Sequence, residues 1–493
     1  MLACQHAGCG PDHCISHARG RHGLAPILAL LLLALARCTN AQQTAPSTQP
    51  AAAADLAAKV AYEQNLGKYK GSSDFLVRPG LLANRKDKTV RIWAKATGIP
   101  SSDPLEFLMI PPDSGRDYEA LAVAFVKPSD VHAAIEFIGL KAGRPINYLK
   151  DQYWPKGERV IINVEWDEPA DGAGASAKTV RVQAEDFVRN VQSGKTLPRQ
   201  GFIFTGSYWI NPPDGGKPLY AADETDSRSI VSDFNDPSTV LDLPRQATKG
   251  AVYGSQQINP LYKFTAGQPL NFILEPEYKD GKLRVRDLAL RIGVPAGAAG
   301  PQGGRYALTD AAGKKVGGDD SLLTLLASFG EITDAGQDPY VTVQADDGLT
   351  LRTLRDVYAM LMKLDNDGGI RIEAAPAGNL YYRAFFPKDE WRDRTKRLGR
   401  PWELHLVEKS KSVAGTLILP ADEIDDNGGQ GDLKWTVGTA EEAAKILAEK
   451  SGRFSQVVYI FAPGNMTYGQ LMAFIGPAMK TNPMMYVFLP KPD

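Results

Sequence analysis

Cysteine is confined to the start of this 493-residue chain, at Cys4, Cys9, Cys14 and Cys38. Everything after residue 38 therefore lacks a thiol nucleophile, a disulfide and a thiolate metal site. Histidine is nearly as scarce, with only His132 and His405 lying beyond His22. Two such residues disfavour a histidine-based triad or a multi-histidine metal centre. Neither sign of charge dominates: 56 Lys plus Arg face 57 Asp plus Glu, so the overall field does not steer the chain toward nucleic acid. No His-Glu-x-x-His helix, Walker loop or Gly-x-Ser-x-Gly turn occurs. Gly172–Ala175 and Gly293–Gly300 are rich in glycine but lack the strand, spacing and helix that would hold a pyrophosphate.

What is present begins with Arg19, Arg21 and His22, followed by the apolar run Leu24–Ala36, broken only by Pro26. That run is too short to cross a bilayer as an ordinary helix, and with its basic flank it reads as a signal peptide. Thr39-Asn40-Ala41 supplies small residues before a cut, so residues 1–41 are the expected signal and Gln42 the new terminus. The alternative is a lipoprotein anchored through Cys38, against which Arg37 occupies a position that normally takes a small residue. Either route predicts a periplasmic or secreted product, with no transmembrane span after signal removal. Residues 42–72, rich in Ala, Gln, Thr and Pro, read as a flexible linker. A short helix is expected from Asp55 to about Glu63, and continuous order from about Phe75.

From Phe75 to Tyr278 the pattern is mainly β. Thr89–Ala94 alternates, Leu121–Val126 is a continuous apolar run, and Val160–Trp166 returns to strand. One helix stands out, where Val131, Ala134, Ile135 and Ile138 form a stripe after Lys127-Pro128-Ser129-Asp130. The C-terminal part contains an internal duplication. Val341, Leu349, Thr350 and Leu354 match Val458, Met466, Thr467 and Leu471 at one constant offset through strand, turn and helix. Each copy reads as β-β-α-β-α-β with an additional first strand at Leu288–Ile292 or Trp402–Val407. Thr439 with Glu442 and Thr467 with Gln470 have capping-box spacing, and Pro477 predicts that the last helix kinks or stops near Gly476. The fold expected is α+β: a β-rich N-terminal domain followed by two small duplicated α/β sandwich-like modules.

Asp117–Leu121, Lys127–Ile135, Gly139–Gly143, Val164-Glu165-Trp166, Phe204–Ser207, Tyr220–Asp223 and Ser229–Pro237 together resemble the YdjY-like domain of exported bacterial proteins. The resemblance implies a YdjY-like domain over residues 73–280; it transfers no activity to any residue. Ala345-Asp346, Leu349, Leu354–Leu361 and Gly369-Ile370 resemble the periplasmic domain of the ExbD/TolR group. A second, more divergent copy has Ala462-Pro463 at the turn. Modules over residues 288–390 and 402–490 are implied. Members of that group partner proton-driven motor complexes through a membrane tether, and this chain has no counterpart of the tether's acidic residue in a membrane span.

Asp223, Glu224, Asp226, Asp233 and Asp236, interleaved with Ser227, Ser229 and Ser232, are the candidate ligand or divalent-ion site. Hard oxygen ligands suit Ca2+, and paired carboxylates suit acid and base work if the fold brings them together. The same residue types are ordinary turn formers. Tyr208, Trp209 and Tyr220 are candidate aromatic contacts around Asn211–Gly216, with a core role as the competing reading. His132 lies four residues before Glu136 on the expected helix, and His405 alternates with Leu404 and Leu406 in an expected strand. The basic run Lys388–Arg400 reads as a solvated linker between modules. No firm metal, cofactor or catalytic residue follows. The function expected is non-catalytic binding or scaffolding in the cell envelope, with an envelope protein or cell-wall polymer as partner and no nucleic acid. The alternative is a carboxylate-dependent periplasmic hydrolase.

Overall fold

A computed structural model of the chain describes residues 49–168, 178–278, 282–293, 305–319, 321–367, 369–397, 399–409, 412–420, 431–450 and 456–490. The expected signal peptide, all four cysteines, and most of the two glycine-rich stretches lie outside them. Order begins earlier than Phe75, with α1 at Gln49–Lys68. The expected flexible linker over 42–72 is therefore helical across most of its length. Its alanines and lysines favour helix, and Ala54 and Ala58 are buried against the strands beneath, with Asp55 ion-paired to Lys95 at 3.1 Å.

Eight strands then close a barrel: β1 Thr89–Ala96, β2 Phe107–Ile110, β3 Ala120–Ala124, β4 Arg159–Glu168, β5 Phe202–Phe204, β6 Val231–Ser232, β7 Leu241–Asp242 and β8 Pro269–Pro276. Their order around the ring is β1-β8-β4-β5-β7-β6-β2-β3, and β3 pairs back with β1 through Ala94 and Ala124. Closure removes the free edges that an open sheet would expose. The hairpin Phe75–Arg78 with Leu81–Asn84 extends the sheet beside β1, and Lys178–Gln183 pairs with β4. The burial of β1 alternates residue by residue, as its sequence does, while every residue of β3 is buried. The expected helix, α2, spans Pro128–Phe137 and buries Val131, Ala134 and Ile135.

The duplicated modules follow. The first has β9 Val285–Gly293, β10 Arg305–Asp310, β11 Lys315–Gly317, α3 Leu322–Asp334, β12 Asp338–Ala345, α4 Leu351–Asp367 and β13 Arg371–Ile372, with sheet order β11-β10-β9-β12-β13. The second has β14 Trp402–Lys409, β15 Ser412–Leu419, β16 Leu433–Val437, α5 Ala440–Lys450, β17 Val457–Phe461, α6 Tyr468–Ile475 and β18 Met484–Phe488, with order β16-β15-β14-β17-β18. Both central pairs are parallel and both outer pairs on the N-terminal side antiparallel. Val341 pairs with Leu288 and Ile372, and Val458 pairs with Trp402 and Met485, so the repeat register holds across each sheet. Helix α6 ends at Ile475, and Gly476 precedes Pro477 as the chain turns.

The two copies meet about a local two-fold axis. Thr350 bridges Thr467, the residue it matches in the repeat. Around that bridge Leu351 N donates to Met466 O at 2.8 Å and Tyr468 N to Leu349 O at 2.7 Å. Arg352 N donates to Gly464 O at 3.0 Å and Gly469 N to Asp347 O at 2.9 Å. Each helix start thus satisfies its orphan amides with carbonyls of the other copy. One hydrophobic core runs through both modules, including Leu354 and Leu471, and takes in Tyr381, Tyr382 and Phe385 from the connection between them.

Candidate functional site

The five predicted carboxylates occupy three different places. Asp223 lies within a turn of helix, Ala221–Glu224, and accepts the Ser129 amide at 3.0 Å. It caps α2 from outside, because Lys127 at that helix start contributes no side-chain cap. Glu224 and Asp226 are exposed on a shallow cleft of about 350 Å³ that Asp113, Arg116, Tyr118 and Arg228 also line. Two loops interlock there: Arg116 donates to the Asp226 carbonyl at 2.9 Å, and Arg228 to the Asp113 carbonyl and carboxylate at 2.9 and 2.8 Å. Arg228 holds φ at 40°, in the left-handed region where its own Cβ crowds the backbone and the conformation costs energy.

Asp233 and Asp236 are buried instead. Asp236 Oδ1 accepts both the amide and the hydroxyl of Ser238, at 2.9 and 2.7 Å. Asp233 is 0% exposed, and neither of its carboxylate oxygens has a hydrogen-bond partner among the described residues. Burial raises its pKa well above the ordinary carboxylate value, and the neighbouring Glu106 charge adds to the shift, with Arg245 opposing it. Glu106 accepts Lys249 Nζ at 2.6 Å through one oxygen, and the other has no partner among the described residues. Ser227 meets Ser238, Ser229 meets Thr239, and Ser232 reaches the Glu106 carbonyl, so the interleaved serines fasten loops. Among the described residues no group of three or more His, Asp or Glu side chains is placed to hold a metal ion.

The aromatic candidates divide by depth. Trp209 is 59% exposed and Tyr208 also faces solvent, whereas Tyr220 is buried behind Trp209 with ring centroids 5.1 Å apart. Tyr220 donates its hydroxyl to the Gly206 carbonyl at 2.9 Å and lies 2.9 Å from His132 Nδ1. His132 Nε2 sits 3.4 Å from Glu136. Gly206 must be glycine: φ is +74°, and a Cβ would come within 2.5 Å of Ala142 and 2.9 Å of the His132 ring. This row fixes the chain leaving β5 against α2.

Sequence reasoning missed the densest polar contacts, which join barrel and modules. Asp338, at the start of β12, receives Arg159 of the barrel at 2.8 Å, Arg284 at 3.0 Å and Arg371 of β13 at 3.0 Å. Burial alone would raise its pKa, but the guanidiniums of Arg371, Arg159 and Arg284 outweigh it and hold it low. Asp365, at the end of α4, accepts Trp154 Nε1 at 2.5 Å, the Tyr382 hydroxyl at 2.6 Å and Arg383 at 3.0 Å. Tyr340 donates to the Pro155 carbonyl at 2.9 Å, and Arg144 pairs with Glu373. None of these partners is close in sequence, so no local pattern could signal them.

The second module carries a comparable acid, buried under the connecting segment on the sheet face away from its helices. Glu403 of β14 binds Arg394 with both oxygens, at 2.9 and 2.8 Å, and also Arg397. Burial would raise its pKa, yet hydrogen bonds from His405, Arg394 and Arg397 hold it far below the ordinary value. The basic run is in part a strap: the Arg397 side chain is 3% exposed and Trp391 stacks on Tyr459 at 5.8 Å, while Lys388 and Lys396 stay in solvent as expected of a linker. Beyond the strap His405, 43% exposed, stacks on Phe461 at 4.5 Å, and Phe461 on Phe488 at 5.0 Å. Val407 extends this partly apolar surface into solvent.

Residues 81–217 match the YdjY domain, which covers most of the barrel and α2. No curated protein matches the chain. No helix among the described residues is long and apolar enough to cross a membrane.

Proposed function

We propose that this is a non-catalytic binding or scaffolding protein of the cell envelope, exported to the periplasm or secreted, whose partner is an envelope protein or cell-wall polymer engaged by the duplicated C-terminal pair. The observation that carries this reading is the unequal use of the two sheet faces. The first module spends part of its face on the barrel through Tyr340, Asp338 and Arg371, while the second keeps His405, Phe461 and Val407 available beyond its strap. An aromatic surface with a polar rim is the composition of a binding patch. The resemblance of both modules to ExbD/TolR periplasmic domains supports an envelope partner, and the basic and apolar N-terminus supports export. Dispersal of the five carboxylates into a helix cap, a cleft and buried turns argues against the hydrolase alternative.

The test uses the full chain, purified from the envelope fraction of its host and sequenced at its N-terminus. It is incubated with cell-wall sacculi and with envelope extract, and both saturable retention and turnover are measured. Retention without turnover is the expected result. Turnover that disappears in Asp223→Ala or Asp236→Ala, with no retention, would establish the hydrolase instead, and a cytoplasmic product starting at Met1 would remove the envelope assignment.

A further inference from the structure

Residues 233–247 link the inside of the barrel to the C-terminal pair. At the inner end Asp233 stands across from Glu106, its amide donating to the Glu106 carbonyl at 3.0 Å. Gln256 donates to the Asp233 carbonyl at 3.3 Å. Among the described residues, both Asp233 carboxylate oxygens, Glu106 Oε1 and Gln256 Oε1 are buried acceptors without a donor. Farther along, Asp242 accepts Asn235 at 3.0 Å and the Leu243 amide at 2.7 Å through one oxygen, and the other has no partner among the described residues. At the outer end the Pro244 carbonyl lies 3.5 Å from Arg371, and Gln246 receives Arg383 at 3.1 Å while reaching Asp365 at 3.4 Å.

A buried surplus of acceptors needs donors, because an ionised carboxylate without hydrogen bonds is costly in a dry interior. The nearby cations are largely committed: Lys249 holds Glu106 at 2.6 Å and Arg116 holds Glu119 at 2.6 Å. Arg245 acts on Asp233 through its charge alone. A proton on Asp233 converts one orphaned acceptor into a donor for its neighbours, and a proton on Asp242 relieves its repulsion with Asp236. We propose that residues 233–247 form a proton-gated clasp between the barrel and the C-terminal pair, closed while Asp233 and Asp242 carry protons and loosened when they ionise.

Burial raises both carboxyls well above their ordinary value of 3.8. The folded clasp therefore binds more protons than the open one. Its stability is fully present below that ordinary value and is lost as pH rises toward the raised folded values. Glu106 and Glu119 push Asp233 the same way, and Arg245 resists.

Amide hydrogen exchange of the full chain, expressed as protection factors to remove the intrinsic pH effect, reads the clasp directly. As pH rises above the ordinary carboxylate value of 3.8, protection across residues 230–247 should fall by about tenfold per pH unit for each proton released, and level off once the raised folded values are passed. The near-isosteric Asp233→Asn/Asp242→Asn variant should keep high protection and lose the slope. A wild type with no slope overturns the proposal whatever the variant does, as does a variant retaining the wild-type slope. Protection that rises with added Ca2+ or Mg2+ and falls with a chelator would also overturn it, by assigning the orphaned oxygens to a cation.

Discussion

The two modules share a register but not a surface. With Val341 equivalent to Val458, the helix-facing positions stay apolar in both copies: Val343 matches Ile460, Leu290 matches Leu404, and all four are buried. The opposite face has diverged. Ala289, Arg291, Thr342 and Gln344 of the first copy correspond to Glu403, His405, Tyr459 and Phe461 of the second. Asp365 and Asn482, both buried at matching ends, differ in the same sense. The acid recruits Trp154 from the barrel, while the amide donates to Gln456 within its own module. Packing beneath the helices constrained the repeat, and the sheet face was free to acquire two different neighbours.

The comparison can be broken most forcefully at the buried acids. Asp338→Asn should cost about 4 kcal/mol in chemical denaturation, because Arg159 and Arg371 are left buried beside a neutral amide. Glu403→Gln should cost roughly 2 kcal/mol, since Arg394 keeps Asp432 and is partly hydrated. Equal losses would remove the distinction between a docking face and a strapped one. Both carboxylates are held low in the folded state, so their stabilisation is present above their ordinary values of 3.8 and 4.5 and is lost as pH falls through the lower folded ones. Acid titration of stability should show a shallower decline in either variant.

Leu354→Ala and Leu471→Ala remove matching, fully buried side chains and should each cost about 3 kcal/mol. Because one core spans both modules, each variant should unfold the pair in a single transition followed by probes in either copy. Separate transitions would show two independent modules. The smallest effect belongs to Thr467→Ala, which deletes a complete capping box and should cost about 1 kcal/mol.

The modules were readable because strand, turn and helix repeated at one spacing, and Thr467 with Gln470 announced the last helix start by chemistry. The barrel's closure was not readable, since β5, β6 and β7 are too short to alternate. Nearness in sequence also misled at the acids. Between Asp223 and Asp236 the chain passes from a helix cap through a surface loop and into the barrel, so its carboxylates separate. Asp338 gave no signal because its arginines come from residues 159, 284 and 371.

The most direct test exchanges the divergent faces. In the full chain, His405→Arg with Phe461→Gln places the first module's residues on the second, at positions that are not part of the shared core. Thermal unfolding should change little, while retention on the envelope fraction, measured as an equilibrium isotherm, should weaken by about tenfold or more, about 1.4 kcal/mol. Retention equal to wild type would contradict the assignment of the partner to the second module's open face.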